Sequence, residues 1–198
     1  MMMKYILAIT LLISFIACNN VETKEHQLLD YRKEIQELKT KNQRDTFLAN
    51  LYVRDQAMRV SNEEDRIISQ DGYNSKEHKE FWERVNKIDL ENYHQLKFYL
   101  EIHGYTEETS FFSSNAKSSF GAIMAHHHEY NDQLKILKLL IPAYKKQFVS
   151  IDTIVWIMSE MHEAKYHRLF DVGKERYTVE DEFEGLVHKL ELTKLFKE

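Results

Sequence analysis

Apolar residues recur every three or four positions along most of this chain, the spacing of amphipathic helices rather than of alternating strands. Leu28, Tyr31, Ile35 and Leu38 begin the pattern, within a helical stretch predicted from about Glu25 to Val60. The polar run Thr40–Asp45 interrupts the stripe and predicts a bend or break there. Leu48, Leu51 and Tyr52 resume it, and Asp55 continues it, seven residues after Leu48 and three after Tyr52. Arg59 lies four residues beyond Asp55, within ion-pair reach on a helix.

Ser61–Ser75 is polar and holds Asp71-Gly72, a turn signal. Ser75 reads as the cap of a segment carrying Phe81, Trp82 and Val85. Asp89 reads as the N-cap of a separate helix from Leu90 to His103, ended by Gly104. Leu96, Tyr99, Leu100 and His103 form the buried stripe of that helix, with Asn92 on the same face. Tyr105–Ser114 is predicted to be a loop, its adjacent pair Phe111-Phe112 packed down. Asn115–Asn131 reads as one helix with three consecutive histidines near its end. Asp132–Gln147 follows, and Pro142 predicts a kink or stop within it. Ser150 or Asp152 caps a helix with Ile154, Val155, Met158 and Met161 on one face. A loop through Gly173 leads to a last helix from Thr178, with Phe183, Leu186, Val187 and Leu190 inward.

Composition agrees with the periodicity. One Pro and five Gly among 198 residues are too few for the many turns of an all-β fold. The expectation is an all-α, single compact bundle of about six to seven helices spanning 25–198, with no repeat or linker. A net charge of −5 without a basic stripe excludes nucleic acid as a partner class. One cysteine excludes an internal disulfide framework and a cysteine-based zinc site.

The N-terminus changes the picture. Lys4, an almost wholly apolar run from Tyr5 to Ile16, and small Ala17 form a secretory signal pattern, too short to span a bilayer. Phe15-Ile16-Ala17-Cys18 resembles a bacterial lipobox, with Phe15 where Leu is usual. That resemblance implies a cleaved signal peptide at 1–17, a lipidated Cys18 carrying palmitate-type acyl chains, and a tether over 18–24. The membrane is then a partner through Cys18. Asn19 is not the Asp that resembles an inner-membrane retention signal, so the resemblance implies the outer membrane of a Gram-negative envelope.

Candidate chemistry lies on the inward stripes. If Asn115–Asn131 is one helix, Phe120, Ile123 and Met124 set its apolar face. His127 continues that face, His128 borders it, and His126 falls on another side, because three consecutive helical residues span about 200°. His162-Glu163-Ala164-Lys165-Tyr166-His167 misses the zincin spacing by one residue, leaving its rings about 140° apart. Glu91-Asn92-Tyr93-His94 is a single ExxH, short of the paired motifs of a di-iron bundle. The phosphate-loop, dinucleotide and nucleophile-elbow motifs are absent. The remaining constellation is Asp55, Arg59, Asp89, Asn92, His127 and His128, one inward polar set from several helices.

Val53-Arg54-Asp55-Gln56-Ala57-Met58-Arg59, Asp89-Leu90-Glu91-Asn92, Ile102-His103-Gly104-Tyr105 and Ala122–His128 together resemble an uncharacterised all-helical bacterial family, a domain of unknown function. The pattern is Asp-Gln-x-x-Arg, Asp-x-x-Asn, a Gly-aromatic turn, and a helix ending in a Gln-His or His-His pair. Thr106 stands where that family has Pro, and His167-Arg168-Leu169-Phe170 where many members have Tyr-Gly-Thr-Gln. The resemblance supports the same polar residues and supplies no function. The expected function is a lipid-anchored binding or interaction module with a structural polar cluster and no cofactor. The alternatives are a hydrolase-like enzyme or a divalent-metal site built on His127 and His128 with Asp55 and Asp89. Partners beyond the membrane are an envelope protein or a small molecule.

Overall fold

The computed structural model describes residues 27–197; the signal segment, Cys18 and the tether lie outside the described residues. The fold is all-α, and among the described residues there is no strand. Helix α1 covers 27–36 and presents Ile35 to the core, with Leu28, Tyr31 and Leu38 half-buried beside it. Thr40 then caps α2, Lys41–Arg59, with a reciprocal bond to Gln43. The predicted break is therefore where the polar run begins.

Helix α3, Glu63–Asp71, fills part of the polar stretch and ends at the predicted Asp71-Gly72 turn. It packs Ile67 against Phe81 and Val85 in a small satellite cluster. Helix α4, Lys76–His103, is one unbroken rod capped by Ser75 and ended by Gly104. The predicted start at Asp89 is corrected here. No Gly or Pro falls between 76 and 103, and an Asp inside a helix costs well under about 1 kcal/mol of propensity. Its side chain is taken up by Arg59 instead of by a backbone N–H.

After a single turn, α5 (Glu107–Ser110), Phe112 enters the core while Phe111 stays exposed, so only one of the pair packs down. Helix α6 runs Ser114–His126, and α7 Tyr130–Lys145. The histidine stretch is thus two helices meeting at a corner, not one. His127 leaves the helix with extended dihedrals, φ −104° and ψ 90°. Fully buried Gln133, from the first turn of α7, donates its amide to the Met124 carbonyl at 3.0 Å and satisfies the end of α6.

Pro142 sits inside α7 without ending it. Pro142 and Lys138, whose carbonyl loses its helical partner, both lie on the exposed side of α7. Helix α8, Ile151–Tyr166, starts at Ser150; α9, Val179–Lys189, starts at Thr178; α10 is Thr193–Lys197.

The core is continuous from α1 to α9, with Leu48, Leu96, Phe120, Met124, Leu137, Ile154, Met158 and Leu186 fully buried. Helix α2 packs most extensively on α6, while α4 touches both. Those three helices position the polar cluster. Gly121 on α6 lets the Trp156 ring of α8 lie directly on its backbone, since a Cβ there would stand 2.0 Å from a ring carbon. Among the described residues no helix is long and apolar enough to cross a membrane.

Candidate functional site

Asp55 sits where the stripe of α2 places it, 0 % exposed between α2 and α6. A buried carboxylate is costly unless its oxygens are occupied, and these are. His126 Nδ1–H donates to both of them, at 2.9 and 3.1 Å, and Gln56 donates its amide at 2.7 Å. Arg59, one turn along α2, stands 3.6 Å from the carboxylate and donates to the Asp55 backbone carbonyl at 2.7 Å. Its other terminal nitrogen donates to both oxygens of Asp89 on α4, 2.8 Å each. One guanidinium therefore ties α2 to α4, and one imidazole ties α2 to α6. Burial raises the Asp89 carboxyl above the usual range, while the Arg59 bond pulls the other way.

The expected polar set is brought together only in part. Asp55, Arg59 and Asp89 form one network. Asn92 lies a turn along α4 and accepts from Arg54, at 2.7 Å from Nε and through a second bond from Nη2. The Asn92 amide nitrogen is buried without a partner among the described residues. His127 is buried as predicted, yet apart from Asp55. Its ring stacks on Tyr93, centroids 4.2 Å apart, and its Nε2–H donates to Asp132 at 3.1 Å. Burial disfavours the Asp132 charge, but hydrogen bonds from Lys135 and His127 outweigh it and hold the carboxyl below its usual range. His128 is exposed and lines a shallow cavity of about 370 Å³ with Glu163 and His167.

His126, set aside by helical phase, is the ring that reaches Asp55. Helix α6 keeps helical geometry through His126, so that ring stays in line with Ser119 and Ala122; both are buried, and the inward face of α6 is wider than Phe120, Ile123 and Met124 alone. Only His127 and His128 are moved by the corner after α6. The His126 side chain is 25 % exposed, and its Nε2 makes no hydrogen bond among the described residues. Glu160 of α8 accepts from Trp156 at 3.1 Å. Burial raises the Glu160 carboxyl above the usual range, and the Trp156 bond opposes this.

Sequence reasoning missed His126, Arg54 and Glu160. Arg54 stands next to Asp55 within the run that carries the family resemblance, so a signal for it was present. For Glu160 there was none beyond Trp156 four residues earlier on the same helix face. Among the described residues no three His, Asp or Glu side chains gather as a group able to hold a metal ion. His127 and His128 face different surroundings, one inward against Tyr93 and one outward beside Glu163. No protein-family model matches the chain, and no curated protein or solved structure matches it.

Proposed function

We propose that this chain is a lipoprotein of the Gram-negative outer membrane, anchored through Cys18, whose helical domain is a hydrolase-like enzyme with His126 as general base. The observation that carries the catalytic reading is the asymmetry of one ring. Nδ1 is held by a carboxylate with no exposure, while Nε2 is unbonded among the described residues on a side chain a quarter exposed. A buried carboxylate on Nδ1 fixes the tautomer, leaving the Nε2 lone pair to take a proton.

Water would give its proton to Nε2 as its oxygen attacks the substrate's acyl or phosphoryl centre. The leaving group would take that proton back from the His126 imidazolium. Arg59 and Gln56 hold Asp55 in place, and Asp89 holds Arg59. The test is hydrolysis of a panel of carboxyl and phosphate esters by the wild type and by His126→Gln. The variant is expected to lose about 10²–10⁴-fold in kcat with its melting temperature kept. Equal rates, or no turnover of any ester by the wild type, would sink the reading.

A second reading is favoured by Arg59, whose guanidinium bridges α2 and α4 from inside the fold. On it the network is a latch holding the helices in register, and the domain is a binding module. It predicts that His126→Gln changes stability alone. Lipidation is tested separately: a fatty-acid analogue should label the wild type and not Cys18→Ser, and equal labelling refutes the anchor.

A further inference from the structure

A second site lies on another side of α2, independent of the His126 reading. Arg54 is one residue from Asp55 and so about 100° around the helix. Phe47, Leu51, Val53 and Ala57 join it in walling a groove of about 360 Å³ between α2 and α4. That is within the size range of small-molecule sites.

Two polar groups in the groove have bonding capacity that no neighbouring side chain takes up. Gln95 of α4 is only 6 % exposed and lines the groove, yet its side-chain amide has no hydrogen-bond partner among the described residues. Arg54 is half-buried and donates only to the neutral oxygen of Asn92; among the described residues it pairs with no carboxylate. Every other arginine whose bonds tie α2 to another helix meets an acid: Arg44 meets Glu108 and Arg59 meets Asp89.

We propose that this groove binds a small organic acid, its carboxylate on Arg54 and the Gln95 amide, its apolar body along Phe47, Leu51, Val53 and Ala57. A carboxylate fits better than a phosphate dianion because a single guanidinium, already partly engaged by Asn92, supplies all the positive charge of the lining.

The test is calorimetric titration of the full chain carrying Cys18→Ser, so that no acyl group of its own competes. The probes are octanoate, octanol, acetate and inorganic phosphate. Octanoate is expected to bind saturably at one site. Octanol, acetate and phosphate should each bind at least about tenfold more weakly, the loss of one charge-assisted bond or of the apolar body. Arg54→Gln should bring octanoate down to the level of octanol. Because Arg54 also holds Asn92, Ala57→Leu serves as a second variant: Ala57 is an exposed rim position, and filling it should block octanoate while the melting temperature is kept. Octanoate binding no better than octanol, phosphate binding as tightly as octanoate, no saturable octanoate binding, or octanoate binding that survives both variants would each overturn the proposal.

Discussion

His126 and His162 are two histidines near helix ends whose Nδ1 atoms are both occupied, and they finish in opposite circumstances. His126 gives its Nδ1–H to a buried carboxylate and leaves Nε2 toward solvent. His162, 2 % exposed, gives its Nδ1–H to the Arg168 carbonyl and is packed between Tyr166 and Phe170. Burial lowers the pKa of His162 below the ordinary imidazole value. A histidine gains acid–base capacity from a charged partner behind one nitrogen and access at the other. With a carbonyl behind and aromatic rings around, it serves as a core residue with one satisfied bond.

Substitutions can break this contrast, and the largest effect expected is on turnover. His126→Gln and Asp55→Asn should each lower ester hydrolysis by about 10²–10⁴-fold, measured as kcat, whereas His162→Gln should leave it within about threefold. Next in size is stability. Asp55→Ala strips Arg59 and His126 of a shared buried partner and should cost about 3–5 kcal/mol in a denaturant melt. The same change at exposed Asp152 should cost less than about 0.5 kcal/mol.

Gly121→Leu should cost about 1–3 kcal/mol, because Trp156 must leave the backbone of α6. Tryptophan fluorescence should shift to the red as that ring is pushed into water, and the Trp156–Glu160 bond should be lost with it. The smallest effect is the pH slope from His162. Its folded pKa lies below the unfolded 6.5, so the fold favours the neutral ring. Its contribution is full above 6.5 and is lost as pH falls through the folded value. The melting temperature should therefore decline as pH falls below 6.5, and His162→Phe should flatten that decline.

Much of the fold was legible because it rests on local chemistry. Ser75 caps its helix as expected, Ser150 rather than Asp152 caps α8, α9 starts at Thr178, and the stripes through Ile35, Leu48, Leu96, Met158 and Leu186 face the core. What was not legible depends on tertiary partners. Asp89 looks like a cap until Arg59 claims it from another helix. Pro142 looks like a stop until α7 proves to run through it, with Pro142 and Lys138 on its exposed side. The end of α6 at His126 carries no Gly or Pro signal, because Gln133 of the next helix completes it. That corner moves His127 and His128, while His126 was misplaced because the side of α6 that carries Ser119 and Ala122 is buried too.

The most direct test is the tautomer of His126, read from a long-range ¹H–¹⁵N correlation spectrum above the pH where the ring loses its charge. A general base oriented by Asp55 predicts the remaining proton on Nδ1, with Nε2 a bare acceptor, and a change in that balance in Asp55→Asn. A neutral ring carrying its proton on Nε2, indifferent to Asp55→Asn, would contradict the account.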